Sequence, residues 1–273
     1  MTTTLTTTLT TTLTDRTVRA WNDTVTIRVR VGGEGPPLVY LHPSAGLAWD
    51  PFLDKLAQHY TIYAPEFPGT TPGDPYAIHQ VDDLWDTVLI YEQTLRGLGL
   101  SGVPVIGQSF GGMLAAELAA AYPDLFSQVV LLDPVGLWRD DHPVANWIAA
   151  PASELPAMLF ADPDGDAAQA MLALPEDADA RADALAQMVW NLGATGKLCW
   201  PIPDRGLDKR LHRITAPTLV VWGEDDALIS PVYAEEFATR IADSRVELIP
   251  KSGHIPQVEQ METTYTTIST FLR

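Results

Sequence analysis

The sequence predicts an α/β fold built on a mostly parallel sheet, and three observations carry the prediction. Short apolar runs alternate with longer helical stretches along most of the chain. A Gly-x-Ser-x-Gly segment falls between one such run and the helix that follows it. A long stretch rich in Ala, Asp, Pro and Trp interrupts the alternation once, as an inserted helical segment would.

Residues 1–16 open with Thr-Thr-Thr-Leu three times, a low-complexity composition that buries too little to offset the entropy of ordering it, so they are expected to form a disordered tail. A first strand is expected only after about Thr17. Residues 25–31 alternate polar and apolar, Gly32 to Pro37 break the pattern, and 38–41 resume as a buried run, which reads as an antiparallel hairpin. Strand-like runs at 61–64, 103–106, 129–132, 218–222 and 246–249 then alternate with helical stretches at 81–98, 110–121, 233–241 and 261–272. The rhythm fails over 135–214, which divides the chain into a core of 17–134 plus 215–273 and a helical cap of 135–214. Trp138, Trp147 and Trp190 in that insertion, with His42, are candidate pocket residues; the insertion's tryptophans, Trp200 included, together with Met158, Leu159, Phe160, Met171 and Met188 could line a pocket or equally fill a small core of their own.

The chain has 273 residues, 17 Lys and Arg against 35 Asp and Glu, and a formal charge of −18. With 46% hydrophobic and 19% charged residues it can bury a large core. Such acidity offers no basic face to a phosphate backbone or an anionic lipid surface, which argues against nucleic-acid and membrane partners and for a small-molecule substrate. No apolar run is long enough to span a bilayer, the start lacks the basic and apolar regions of a secretory signal, and Cys199 is the single cysteine. A cytoplasmic location is therefore expected, without an internal disulfide or a multi-cysteine zinc site. No heptad or sustained apolar helix face demands a partner, so monomer and homodimer both fit.

The chemistry centres on Gly107-Gln108-Ser109-Phe110-Gly111-Gly112. A sharp strand-to-helix turn forces its central residue into a strained conformation, small neighbours at 107 and 111 permit the turn, and Ser109 is lifted clear of the sheet as a candidate nucleophile. The helix behind it aims free N–H groups at any developing oxyanion, with Phe110 N–H best placed. A serine hydroxyl needs a base, and of six histidines His254 fits best, in a loop that Gly253 makes flexible after the last strand-like run. His59, His79, His142 and His212 read as surface or structural residues. The base needs a carboxylate, for which Asp226 is the candidate, with Asp225, Glu224 and Asp133 as substitutes. A second oxyanion donor is expected from the loop His42-Pro43-Ser44-Ala45-Gly46, where Pro43 has no N–H and Ser44 N–H is the candidate; His42 then serves as an internal brace.

Together the His42-Pro43-Ser44 loop, the Ser109 elbow, the Trp222-Gly223-Glu224-Asp225-Asp226 turn and Ser252-Gly253-His254 resemble the α/β-hydrolase family, in its capped branch of esterases, lipase-like enzymes and carbon–carbon bond hydrolases. The resemblance covers residues 17–273. It implies an eight-stranded, mostly parallel sheet with a helical cap, a triad on Ser109, Asp226 and His254, an oxyanion hole of Ser44 and Phe110 backbone N–H groups, and no metal or organic cofactor. Pro43 departs from the family's usual glycine after the histidine. Ser at 109, rather than Asp, argues against epoxide and haloalkane hydrolysis.

Three functions compete. The favoured one is hydrolysis of a carboxylic ester of a small, largely apolar substrate through an acyl-enzyme on Ser109. The second keeps the triad and cleaves a carbon–carbon bond of a vinylogous diketone, with Arg139, Arg181 or Lys197 available to meet an acidic substrate. The third is a non-hydrolytic ligand receptor.

Overall fold

The computed structural model describes residues 11–273. Its strands are β1 (Leu13–Ala20), β2 (Val25–Gly32), β3 (Pro37–Leu41), β4 (Thr61–Pro65), β5 (Val103–Gln108), β6 (Phe126–Leu132), β7 (Thr218–Gly223) and β8 (Ser244–Ile249). They form one eight-stranded sheet in the order β1-β2-β4-β3-β5-β6-β7-β8. β1 and β2 run antiparallel to each other, β2 runs antiparallel to β4, and every pairing from β4 to β8 is parallel.

The helices are α1 (Pro51–Leu56), α2 (Leu84–Gly97), α3 (Phe110–Ala121), α4 (Leu155–Leu159), α5 (Asp166–Leu172), α6 (Ala178–Cys199), α7 (Val232–Ala238), α8 (Pro256–Glu259) and α9 (Met261–Leu272). Central strands are buried on both faces, and their near-continuous Val, Leu and Ile runs are what two covered faces require. One face packs through Val39, Val105, Val129 and Val220 into the cluster that holds Val88, Tyr91 and Leu95 of α2 and Leu114 and Leu118 of α3. The other face packs through Leu38, Ile106, Val130 and Leu219 against Phe52 and Leu53 of α1 and Ile268 and Leu272 of α9.

Two sequence expectations are corrected here. Residues 1–10 lie outside the described residues, but 13–16, assigned to a disordered tail, form the first half of β1. Thr-rich edge sequence with little burial still pairs when a neighbouring strand offers a complete ladder, because threonine fits a half-exposed pleated surface well. The hairpin partner of β2 is also β1 rather than β3: the chain turns through Trp21, Asn22 and Asp23, all at positive φ, and β3 enters the sheet two places away, parallel to β4 and β5. Gly32 to Pro37 therefore mark a crossover and not a tight turn. The short helix α1, which the pattern reading passes over, has a clear local signal in Asp50-Pro51: Asp50 Oδ1 accepts the Leu53 N–H at 2.8 Å as an N-cap, and Pro51 occupies the first helical turn, where no N–H is needed.

Between β6 and β7 lie α4, α5 and α6, with no strand among them. This segment sits over the C-terminal ends of the parallel strands, held by several hydrogen bonds. His254 N–H donates to Leu159 O, Glu259 accepts from Ala161 N–H, and Asn191 Nδ2 donates to Ala45 O. The C-terminal strand ends, where an open parallel sheet gathers its ligands, are thus the part of the fold it covers.

Candidate active site

β5 delivers Ser109 at the elbow. Its backbone has φ 54° and ψ −113°, a sparsely populated region that costs of order 1–3 kcal/mol and is held by the Ser109 N–H bond to Leu132 O and by Ser109 O, which accepts from Met113 and Val135. The glycines explain how the chain tolerates it: a Cβ at Gly107 would stand 2.3 Å from Gly111 O, and one at Gly111 would stand 2.1 Å from Leu41 O. His254 Nε2 lies 2.8 Å from Ser109 Oγ, and His254 Nδ1 lies 2.8 Å from Asp226 Oδ2. Ser109, Asp226 and His254 are all buried. The remaining Asp226 oxygen accepts two backbone N–H groups, Leu228 and Ile229, at 2.9 Å each, which fixes the carboxylate's orientation. Asp225 and Glu224 are exposed, as are His59, His79, His142 and His212.

Asp133, the fourth acidic candidate, makes a different contact. It ends β6 fully buried, its Oδ1 accepts Gly223 N–H at 2.9 Å, and its Oδ2 has no hydrogen-bond partner. Burial, with Asp226 beside it, pushes the Asp133 carboxyl well above the usual carboxylate range, which favours the neutral acid. One ligand atom each of Asp133, Asp226 and His254 fall within 4.8 Å of one another, a metal-like spacing. Both His254 nitrogens are already engaged by Asp226 and Ser109, which leaves none free for a cation. Since an amide mimics the neutral acid, Asp133→Asn should keep its kcat/KM. Asp133→Ala, which strands the buried Gly223 N–H, should lower stability by about 1–3 kcal/mol in a denaturant titration.

The loop before α1 carries Ser44. Neither Ser44 N–H nor Phe110 N–H meets a protein acceptor among the described residues. The loop is pinned from above by α6, with Asn191 Nδ2 on Ala45 O at 2.6 Å and Thr195 Oγ1 on Ser44 O at 3.4 Å. It is pinned from below by His42, whose Nδ1 meets Pro43 O at 2.8 Å and whose Nε2 accepts Phe67 N–H at 2.9 Å. Burial lowers the His42 pKa, which keeps Nε2 an acceptor and suits a brace.

A cavity of about 330 Å3 opens on Ser109 and His254. Its walls are mainly apolar: Leu47, Trp147, Leu155, Leu159, Met171, Met188, Leu192, Leu228 and Ile255 among them, with Tyr40, Asp50, Gln108 and Gln257 as polar members. Of His42, Trp138, Trp147 and Trp190 only Trp147 lines it. His42 is the brace just described. Trp138 turns its Nε1 to Asp140 at 2.9 Å, and Trp190 donates to Pro75 O at 2.9 Å and packs edge-on against Tyr76; for both, a backbone or carboxylate acceptor near the surface satisfies the indole N–H, which an apolar cavity cannot do. Leu159, Met171 and Met188, named with the tryptophans of the insertion, do line it, and leucines and methionines make up most of the wall.

Several contributors were not foreseen. Gln108 Nε2 donates to His254 O, and Glu259 accepts Gly253 N–H at 2.6 Å, so both hold the histidine loop. Glu259, five residues beyond His254, could have been read as a cap for that loop; Asn191 and Thr195 have no sequence signal, because their partners are 146 and 151 residues away. No Lys or Arg lines this cavity. Arg139 pairs with Asp141 and Glu236, Arg181 is exposed, and Lys197 faces a separate hollow of about 610 Å3 beside Arg205 and Arg210. Burial raises the Cys199 thiol to about 12, which makes it inert as a nucleophile.

Known proteins share this arrangement of the chain. A 2-hydroxy-6-oxo-6-phenylhexa-2,4-dienoate hydrolase of Burkholderia cepacia is 24% identical over 255 residues, covering 86% of this chain and 87% of its own. An esterase from Exiguobacterium antarcticum superposes with a TM-score of 0.77 at 20% identity, over 95% of this chain and 99% of the other. A meta-cleavage product hydrolase from Pseudomonas fluorescens IP01 superposes with a TM-score of 0.70 at 18% identity, over 94% and 96%. No described helix is long and apolar enough to cross a membrane. The strand order, the elbow after β5 and the match of residues 38–266 to a single family profile agree, and the chain belongs to the alpha/beta hydrolase family of hydrolytic enzymes.

Proposed function

We propose that the protein hydrolyses a carboxylic ester of a small, largely apolar substrate without a negative charge, through an acyl-enzyme on Ser109. The observation that carries this reading is the His254-bridged contact between Ser109 and Asp226 opening into an apolar cavity that has no cationic residue in its wall.

The chemistry runs as follows. Ser109 Oγ attacks the ester carbonyl while His254 Nε2 takes its proton, and Asp226 steadies the imidazolium through Nδ1. The Ser44 and Phe110 N–H groups receive the oxyanion. His254 then returns the proton to the departing alcohol, water enters, and the same cycle releases the acid and restores Ser109. Residues 135–214 act as a cap, supplying Trp147, Leu155, Leu159, Met171, Met188 and Leu192 to the cavity and keeping bulk water out.

The second reading, carbon–carbon cleavage of a vinylogous diketone, has its own support, since the Burkholderia relative is named as a hydrolase of a 2-hydroxy-6-oxo-6-phenylhexa-2,4-dienoate, a substrate that carries a carboxylate. Such a substrate needs a cation or several aimed donors, and the cavity wall presents a carboxylate, Asp50, instead. The test sets p-nitrophenyl esters from acetate to octanoate against a 2-hydroxy-6-oxohexa-2,4-dienoate under identical conditions. Ester turnover with a higher kcat/KM than the dienoate is expected. The reverse order, or tight dienoate binding without turnover of either, overturns the ester reading.

A further inference from the structure

Asp50 serves α1 as its N-cap, yet its side chain also forms part of the wall of the reaction cavity. It is the one carboxylate there, and no Lys or Arg shares the cavity with it. Of its oxygens, Oδ1 accepts the Leu53 N–H, and among the described residues no side chain donates to either. The charged neighbour acting on it from α1 is another acid, Asp54, itself occupied with the Trp49 indole. From β3 it faces the Tyr40 phenol, which burial first and Asp50 second keep firmly protonated. Burial pushes Asp50 up to about 6 against the backbone N–H groups that hold it down, so it is ionised at neutral and alkaline pH. A desolvated carboxylate without a countercharge is costly unless a ligand supplies one.

The rest of the wall fits that missing ligand. Tyr40 and Trp147 bring aromatic surface to the same cavity, and aromatic faces attract cations. The protein's charge of −18 draws cations toward it and repels anions.

We propose that Asp50, with the aromatic walls of Tyr40 and Trp147, forms a cation-accepting subsite, and that the preferred substrates are esters carrying an ammonium group while esters carrying a carboxylate are rejected. This rests on the ester reading above and narrows it to a substrate class.

The experiment compares three p-nitrophenyl esters of matched length: 4-(trimethylammonio)butyrate, the uncharged 5,5-dimethylhexanoate and the anionic glutarate. At pH 8 the cationic ester should exceed the neutral one in kcat/KM by about tenfold, the scale of one interaction with a charged group, and the glutarate should fall below both. Asp50→Asn keeps the capping oxygen and removes the charge, so the cationic-to-neutral ratio should collapse toward one and the glutarate should gain. Lowering the pH through about 6 protonates Asp50 and should shrink the same ratio in the wild type. The triad's own titration cancels in that ratio because both esters use it. An equal ratio in wild type, or a ratio that survives Asp50→Asn, overturns the subsite. Failure to turn over even the neutral ester overturns the ester reading instead. Titration calorimetry of the methyl ester of 4-(trimethylammonio)butyrate against the Ser109→Ala variant then decides the subsite separately, with binding that Asp50→Asn weakens supporting it and no binding, or unchanged binding, overturning it.

Discussion

Ser109→Ala and His254→Ala should each lower kcat/KM on a p-nitrophenyl ester by roughly four to six orders of magnitude, and the double variant should be no worse than either single one. The expectation comes from the contact geometry. His254 Nε2 is 2.8 Å from Ser109 Oγ and its other nitrogen is 2.8 Å from Asp226, so nucleophile and base work as one unit, and removing either removes the unit. Neither change should unfold the protein. Alanine keeps the Cβ at the strained position 109, and the elbow is held by backbone bonds to Leu132, Met113 and Val135 that the hydroxyl does not make. A melting curve beside the rate assay separates the two effects. If Ser109→Ala keeps its rate with an intact fold, hydrolysis does not pass through this serine. Asp226→Ala should differ, losing both activity and stability, because Leu228 and Ile229 N–H groups are left buried without their acceptor.

The parts of this site that could be read from sequence are those enforced locally. Gly107 and Gly111 are dictated by a turn that admits no Cβ, and the strand before and the helix after them are strongly patterned, so Ser109 is visible within a dozen residues. Asp226 and His254 are visible because each follows a parallel strand. What stayed hidden is set at long range. Whether Trp190 lines a cavity or caps a loop depends on Pro75 O, 115 residues away, and Asp50 looks like a helix cap until the cavity is in view. The first strand was hidden for the opposite reason. Leu13–Ala20 is an edge strand whose first five residues are partly covered or exposed before half-buried Val18 and buried Ala20 anchor it, and an edge carries little hydrophobic signal.

The second large effect is on stability. Gly223→Ala should cost about 3 kcal/mol or more and abolish most activity, whereas Gly193→Ala should raise stability by roughly 0.5–1 kcal/mol. Gly223 ends β7 where the acid loop leaves the sheet, and its N–H is held by Asp133. A Cβ there would stand 1.9 Å from Gly253 O and 2.5 Å from Ser252 O. Both are backbone atoms of the loop that presents His254, so neither can rotate aside as a side chain would. That loop is fixed on its far side too, since Gly253 N–H is bound to Glu259 and His254 N–H to Leu159 O. Any shift that relieves the clash therefore breaks one of those bonds or pulls the imidazole from Ser109. Gly193 is exposed within α6, and a Cβ there meets nothing within 4 Å, so the only change is the lower conformational entropy of an unfolded alanine. Denaturant midpoints and ester rates on the two variants measure this directly. Opposite signs show that close backbone approach, and not glycine's flexibility, is what position 223 needs; a Gly223→Ala protein as stable and active as the wild type would show that the two loops can move apart without cost.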